Sequence, residues 1–300
     1  MTKRAVIVGI NDYSGQNNPN FTVGNLSGCV ADANSMKDML TSTFGFDQIS
    51  SFLTDGAATS AAIKSAVGDM LSASSAGDVA VLCYAGHGGR LPQDMTNPGG
   101  RFYECIIPAS GDLITDRDFY SMADNLDQST VNFTLIMDSC NSGGLHEGTP
   151  DSLVRSGDYS SALVQACVGS MTTVIPCGVT LPPDSTAMDG NVSNVTGQGN
   201  GVVCSVDDNK SFVPLSKSTV LAACRYDESD ADNAGGNGHG GLTQGLLDVF
   251  NQSDPQVTYR QVVDRLRTDM QGIGLTQTAT LLGQQNRMDE NFLAPWTTSA

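Results

Sequence analysis

Basic residues are scarce in this 300-residue chain: 15 Lys and Arg stand against 32 Asp and Glu, a net charge of −17. Phosphate binding needs basic patches, so a nucleic-acid partner is excluded, and basic substrates or cations fit better. No run approaches the ~18 apolar residues of a membrane span, which excludes a membrane partner of that kind. Eight cysteines are present, but none forms a CxxC pair and none clusters densely. Several lie inside apolar runs such as Val81–Tyr84 and Leu221–Cys224, which predicts reduced, buried thiols rather than a disulfide framework. Glutamate is nearly missing, with only 4 of the 32 acids. The aspartates favour turns, helix starts and hard-cation sites, although most of them read as solvated surface. No internal repeat is found. At the start, Met1–Arg4 runs straight into Ala5–Ile10, too short for a signal-peptide core and without a cleavage site. A cytoplasmic location is expected.

What is present is globular: 39% of residues are hydrophobic and 16% charged. The length suits one large α/β domain or two small ones. Apolar runs alternate with amphipathic stretches, the rhythm of a mostly parallel sheet covered by helices. The spacing predicts strands over 4–10, 49–53, 78–84, 131–137, 218–224 and 278–282. Helices are predicted over 29–41, 59–72, 116–126, 241–251 and 256–270, with Thr59 as a cap and Asp116 and Asp118 at a helix start. Residues 146–216 break the rhythm, being rich in Gly, Ser, Thr, Asn and Asp around Pro182-Pro183. A single domain over 1–300 is expected, with this stretch as a polar insertion that could hold small elements at 160–168 and 171–180.

Two predicted strand ends carry chemistry. One strand empties into Ala85-Gly86-His87-Gly88-Gly89, the other into Asp138-Ser139-Cys140-Asn141-Ser142-Gly143. Catalytic groups in open parallel sheets gather at the carboxyl ends of strands. The glycines beside His87 let the backbone approach a substrate, and their N–H groups can donate to an oxyanion. A thiol attacks as thiolate, and a neighbouring imidazole lowers its pKa and can protonate a leaving amine. Alone, each residue reads as an ordinary strand-end Cys or loop His. Together, each inside a Gly/Ser-rich loop, they favour a nucleophilic pair.

With these residues the sequence resembles the caspase-like cysteine peptidases of the metacaspase branch, in the short bacterial form without a prodomain (clan CD, peptidase C14). The resemblance runs through Ala5–Asn11, Leu26–Ala33, Tyr84–Gly88, Asp138–Gly143, Ala223–Asp232 and Gly241–Thr243, and leaves 146–216 uncovered. His87 precedes Cys140 by 53 residues, near the ~50 of caspases. The resemblance implies an α/β caspase-like fold, a mostly parallel six-stranded sheet flanked by helices in a three-layer sandwich. It implies a cysteine endopeptidase, with Cys140 as nucleophile, His87 as general acid/base, and the backbone N–H groups of Gly88 and Cys140 as oxyanion donors. Asp32 and Asp138 match the acidic pocket that takes a P1 Arg or Lys. A carboxylate pair can hold a guanidinium bidentately and would repel an acidic side chain. Ala85 stands where the family often has Ser, removing one hydroxyl from that pocket.

The chemistry requires no cofactor. As an activator, calcium is implied at Glu104, Asp116 and Glu147. Arg117, however, replaces a carboxylate there and could neutralise the remaining acids itself; Asp118 could compensate if the loop shifts. Arg155, Lys210 and Lys217 lie in or beside the insertion, where a basic-directed enzyme could cut itself as a zymogen does. Polypeptides with a basic P1 residue are the expected partners, and a monomer is expected rather than an obligate dimer. Rival readings are a silent scaffold that binds partners or calcium, and a transpeptidase or ligase using the same pair. Gly236–Gly241 spells GxGxxG but lies a dozen residues beyond its strand, so it reads as a specificity loop before a helix. His146 with His87 and Cys140 would make a zinc site, but no close-spaced ligand pair supports one.

Overall fold

The computed structural model describes residues 1–16, 21–92, 102–123, 126, 130–139, 158–159, 218–224, 232, 238–251, 255–283 and 287–296. Eleven strands appear among them: β1 (Lys3–Gly9), β2 (Phe21–Thr22), β3 (Gln48–Thr54), β4 (Val79–Ala85), β5 (Gly88–Pro92), β6 (Phe102–Ile106), β7 (Ile114–Thr115), β8 (Asn132–Asp138), β9 (Asp158–Tyr159), β10 (Thr219–Ala222) and β11 (Thr280–Leu282). The helices are α1 (Cys29–Ser42), α2 (Ser60–Ser72), α3 (Asp116–Met122), α4 (Gly241–Asn251) and α5 (Tyr259–Gly272).

Six strands form one sheet in the order β11-β10-β8-β4-β1-β3. All its pairings are parallel except β10 with β11. Strands β4 and β8 are buried along their whole length, and their near-continuous apolar sequences suit a sheet covered on both faces. On one face lie α2, α3 and a small antiparallel sheet, β5-β6-β7, whose apolar side chains include Ile63, Val67, Ile106 and Phe119. The other face is covered by α1, α4 and α5 through Met36, Leu40, Leu246, Val262 and Leu266. Burying each of these side chains contributes about 1.5–3 kcal/mol, which explains why the helices adopt these faces.

Each predicted strand of the main sheet is found, within two residues at its ends. Helix α3 stops at Met122 rather than continuing to 126. Helix α5 starts at Tyr259 rather than 256, because Thr258 and Gln261 form a capping box that sets its first turn. The strands β5, β6 and β7 were not foreseen. The small elements expected at 160–168 and 171–180 lie outside the described residues. Among the described residues, Cys29, Cys83, Cys105 and Cys224 are buried, as the apolar runs around Cys83 and Cys224 predict.

The chain order places the crevice. After β1 the chain adds β3 on one side and then returns to lay β4 on the other. Such a reversal opens a crevice outside the carboxyl ends of the two inner strands. Beyond β4 comes His87.

Candidate active site

Strands β4 and β8 pair in register with Ala85 opposite Asp138. His87 therefore follows the paired Ala85 by two residues, just as Cys140 follows Asp138 by two. Cys140 itself lies outside the described residues, as do Glu147, Arg155, Lys210 and Lys217.

His87 is 2% exposed and tightly held. Its Nε2 lies 2.8 Å from the carbonyl oxygen of Gly24. A carbonyl only accepts, so the neutral imidazole carries its proton on Nε2, leaving the Nδ1 lone pair as base. The His87 backbone N–H donates to the Tyr13 hydroxyl at 2.7 Å, and the two rings pack 4.7 Å apart. The Tyr84 hydroxyl donates to the carbonyl of His87 at 2.7 Å and lies 2.9 Å from that of Ile107. Burial pushes the Tyr84 phenol well above its ordinary pKa, so it stays a donor. Gly86 is required here: a Cβ would lie 2.5 Å and 2.6 Å from the Tyr84 and Tyr13 hydroxyls. Gly88 opens β5 opposite Ile106, and its placement follows from the His87 carbonyl accepting the Ile107 N–H at 2.9 Å.

Asp32 and Asp138 share one cavity with Val8, Ala85 and Thr243. Both aspartates are fully buried or nearly so. Asp32 sits in the first turn of α1, whose N-cap, Gly28, makes no side-chain bond. Two distant residues take over that task. Asn11, just beyond β1, accepts the N–H groups of Cys29 and Val30 on its Oδ1. Asp232 accepts those of Ser27 at 2.7 Å and Gly28 at 3.1 Å. A Cβ at Gly28 would lie 2.4 Å from the Asp232 carbonyl oxygen, so this close approach needs glycine.

The start of α4 holds both cavity carboxylates. Gly240 N–H donates to Asp32 at 3.0 Å and 3.2 Å to its two oxygens, and His239 Nδ1 lies 3.0 Å from Oδ1. Thr243 donates to Asp138 Oδ2 from both its backbone N–H and its hydroxyl. The orphan N–H groups and positive dipole end of a helix favour carboxylates there. The two acids are thus anchored as well as concentrated. Tyr84, Asp232 and Thr243 lie inside the matched blocks and His239 inside the Gly236–Gly241 loop, but nothing in the sequence assigned them these contacts; Tyr13 and Gly24 carry no sequence signal of their own. Only their neighbourhood to the motifs could have drawn attention.

The cation positions fare differently. Cys105 pairs with Thr115 in the small sheet, which brings Glu104 of β6 beside Asp116, the first residue of α3. Both Asp118 oxygens are engaged here: one receives the Thr115 N–H and hydroxyl, and the other meets Lys64 Nζ at 2.8 Å. Among the described residues no group of three or more His, Cys, Asp or Glu could hold a metal ion. Calcium takes six to eight oxygen ligands, and Glu147, the third implied position, lies outside the described residues.

A sequence profile of the caspase domain family matches residues 2–291. The chain belongs to the caspase domain family. It is similar to Metacaspase-9 of Arabidopsis thaliana, 28% identical over 93% of this chain and 95% of that protein. Metacaspase-4 of the same plant is 36% identical over 52% of this chain, which spans only 37% of that protein's length. A crystal structure of a protein from Geobacter sulfurreducens superposes with a TM-score of 0.64 at 20% identity, covering 99% of this chain and 100% of that one. The caspase-like fold, a mostly parallel six-stranded sheet between two layers, is therefore established for this chain. No helix among the described residues is long and apolar enough to cross a membrane.

Proposed function

We propose that this caspase-family chain is a cysteine endopeptidase cleaving peptide bonds after Arg or Lys. The observation that carries the reading is the cavity: Asp32 and Asp138 line it together, and His87 lies two residues past the Ala85–Asp138 pair. Chain connectivity keeps the Cα of Cys140 within about 7.6 Å of that of Asp138, two steps of 3.8 Å. His87 Nδ1 accepts the thiol proton, and the Cys140 thiolate attacks the scissile carbonyl carbon. The oxyanion receives the backbone N–H groups of Gly88 and Cys140. The imidazolium then protonates the leaving amine as the C–N bond breaks, leaving a thioester on Cys140. Water, losing a proton to His87, attacks the thioester; the thiol leaves and the acid product departs.

Two carboxylates in one buried cavity favour a guanidinium or ammonium side chain and repel a carboxylate. Polypeptides with a basic P1 residue are thus the proposed substrates, and Arg155, Lys210 and Lys217 are proposed as self-cleavage positions. The test is hydrolysis of matched fluorogenic peptides with Arg, Lys or Asp at P1, using wild-type, Cys140→Ala and His87→Ala protein. Turnover of the Arg and Lys peptides by wild type alone supports the reading. Equal turnover of the Asp peptide refutes the pocket assignment, and activity in Cys140→Ala refutes the nucleophile.

A further inference from the structure

One side chain bonded to a cavity carboxylate belongs neither to the dyad nor to the carboxylate pair. His239 Nδ1 lies 3.0 Å from Asp32 Oδ1, and its side chain is 20% exposed while that of Asp32 is wholly buried. The contact joins residues 207 positions apart, so it is made by the return of the chain from β10 to α4. The neighbouring Gly240 N–H already bonds the same carboxylate. We propose that His239 is a specificity-determining residue: its imidazole shares Asp32 with an entering basic side chain and so sets the charge that this side chain meets. The proposal rests on the reading of Asp32 and Asp138 as the pocket for a basic P1 residue.

The sign follows from the groups around the imidazole. Asp32 faces it from α1, and Asp138 lies across the same cavity at the end of β8, bonded to Thr243 of α4. Upstream of it, Asp232 is engaged with Ser27 and Gly28. His87, beyond β4, is the other titrating group of the site. When His239 is neutral, its Nδ1–H merely orients Asp32, and the two carboxylates present two negative charges. Protonation cancels one of them and places a cation beside the incoming guanidinium, which itself never titrates. An imidazole ordinarily makes this change near pH 6.5 and is reachable by solvent here. Affinity for an Arg side chain should therefore rise with pH, separately from the rate of the chemical step.

The experiment measures KM and kcat for one Arg-P1 fluorogenic peptide between about pH 5.5 and 8. Wild type is compared with His239→Asn, whose amide keeps a donor near the Nδ1 position but cannot gain a proton, and with His239→Ala. In wild type, KM should fall about tenfold across this range, the effect of one unit charge at a cavity separation. In His239→Asn, KM should vary less than twofold, while kcat keeps the pH profile set by His87 and Cys140. His239→Ala should raise KM at high pH, because Asp32 loses an anchor, and should lose the low-pH rise of KM as the Asn variant does; at high pH the Asn variant should restore the wild-type KM. A second readout uses Cys140→Ala protein titrated with arginine amide. The chain has 3 histidines, so imidazole resonances can be assigned singly, and that of His239 should move on binding. Retention of the wild-type KM slope by His239→Asn overturns the proposal, provided that Asp32→Asn abolishes arginine-amide binding. If arginine amide binds equally to wild-type and Asp32→Asn protein, the pocket reading fails, and this proposal falls with it.

Discussion

Replacing Tyr13 by Phe removes one hydroxyl and nothing else, and it isolates how the backbone holds the imidazole of His87. The ring that packs 4.7 Å from His87 remains, as does the surrounding apolar contact. What disappears is the acceptor for the His87 N–H, a 2.7 Å bond in a residue that is 98% buried. A buried donor left without an acceptor costs about 1–3 kcal/mol, a sizeable part of a total stability of about 5–15 kcal/mol. Taking ~2 kcal/mol, the melting midpoint of a chain of this length should fall by roughly 3 °C. Activity should suffer separately. The imidazole is positioned from two sides, by the Gly24 carbonyl on Nε2 and by the tyrosine pair on its own backbone. Small displacements of a catalytic group are costly, up to ~100-fold per ångström, so a tenfold loss of kcat with little change in KM is expected. Differential scanning fluorimetry and initial rates on an Arg-P1 peptide measure both quantities on one preparation. A Tyr13→Phe protein with wild-type midpoint and wild-type kcat would refute the idea that this hydroxyl holds His87.

Other outcomes can be stated more briefly. Asp32→Asn and Asp138→Asn should each raise KM for Arg-P1 peptides by about 30–100-fold, since a charge-assisted partner is lost. Each should also lower stability by about 1 kcal/mol, read as a denaturant midpoint, because both carboxylates cap α4. Burial pushes the Cys83 thiol up to about 12. In native protein Cys83 should therefore resist iodoacetamide at pH 8, and become labelled only in denaturant, as peptide mass spectrometry can follow. Asp78 loses solvation by burial. The N–H groups of Thr2 and Ser75 and the Arg4 guanidinium outweigh this and hold its carboxyl below the ordinary aspartate value. Its contribution to stability is then complete above about pH 4 and is lost as pH falls through the lower folded value. Asp78→Asn should remove that part of the acid unfolding curve while lowering stability at neutral pH. Chelation with EDTA should change the Arg-P1 rate less than twofold, given that Asp118 is occupied by Thr115 and Lys64. A large loss restored by calcium would instead require Glu104, Asp116 and Glu147 to act together.

Much of the architecture was legible because it is written in local periodicity. The runs Ala5–Ile10, Val79–Tyr84 and Phe133–Met137 are apolar over strand length, and strands buried on both faces have that pattern. The small sheet escaped notice for the same reason. Gly88–Pro92 and Phe102–Ile106 are short and mixed in polarity, and their pairing joins segments separated by undescribed residues. No local period marks them. The start of α5 was placed too early because apolar Val257 extends the pattern, whereas the Thr258 cap decides where the helix begins.

The scarcity of basic residues and the excess of aspartate already pointed to a cationic partner. The two strand-end motifs then singled out His87 and Cys140, since side-chain chemistry and spacing are properties of the chain alone, and the resemblance to the metacaspase branch added Asp32 and Asp138. Which atoms serve those residues was decided only by tertiary structure. The Gly24 carbonyl chooses the imidazole tautomer, and the Tyr13 hydroxyl holds the His87 backbone. Likewise His239 and Gly240 reach Asp32 from more than 200 residues away, and Thr243 reaches Asp138 from 105. Glycine, tyrosine and threonine are too common to announce such roles. Their partners are chosen by strand order and helix packing, because a hydrogen bond depends on distances of about 3 Å in space and is blind to distance along the chain.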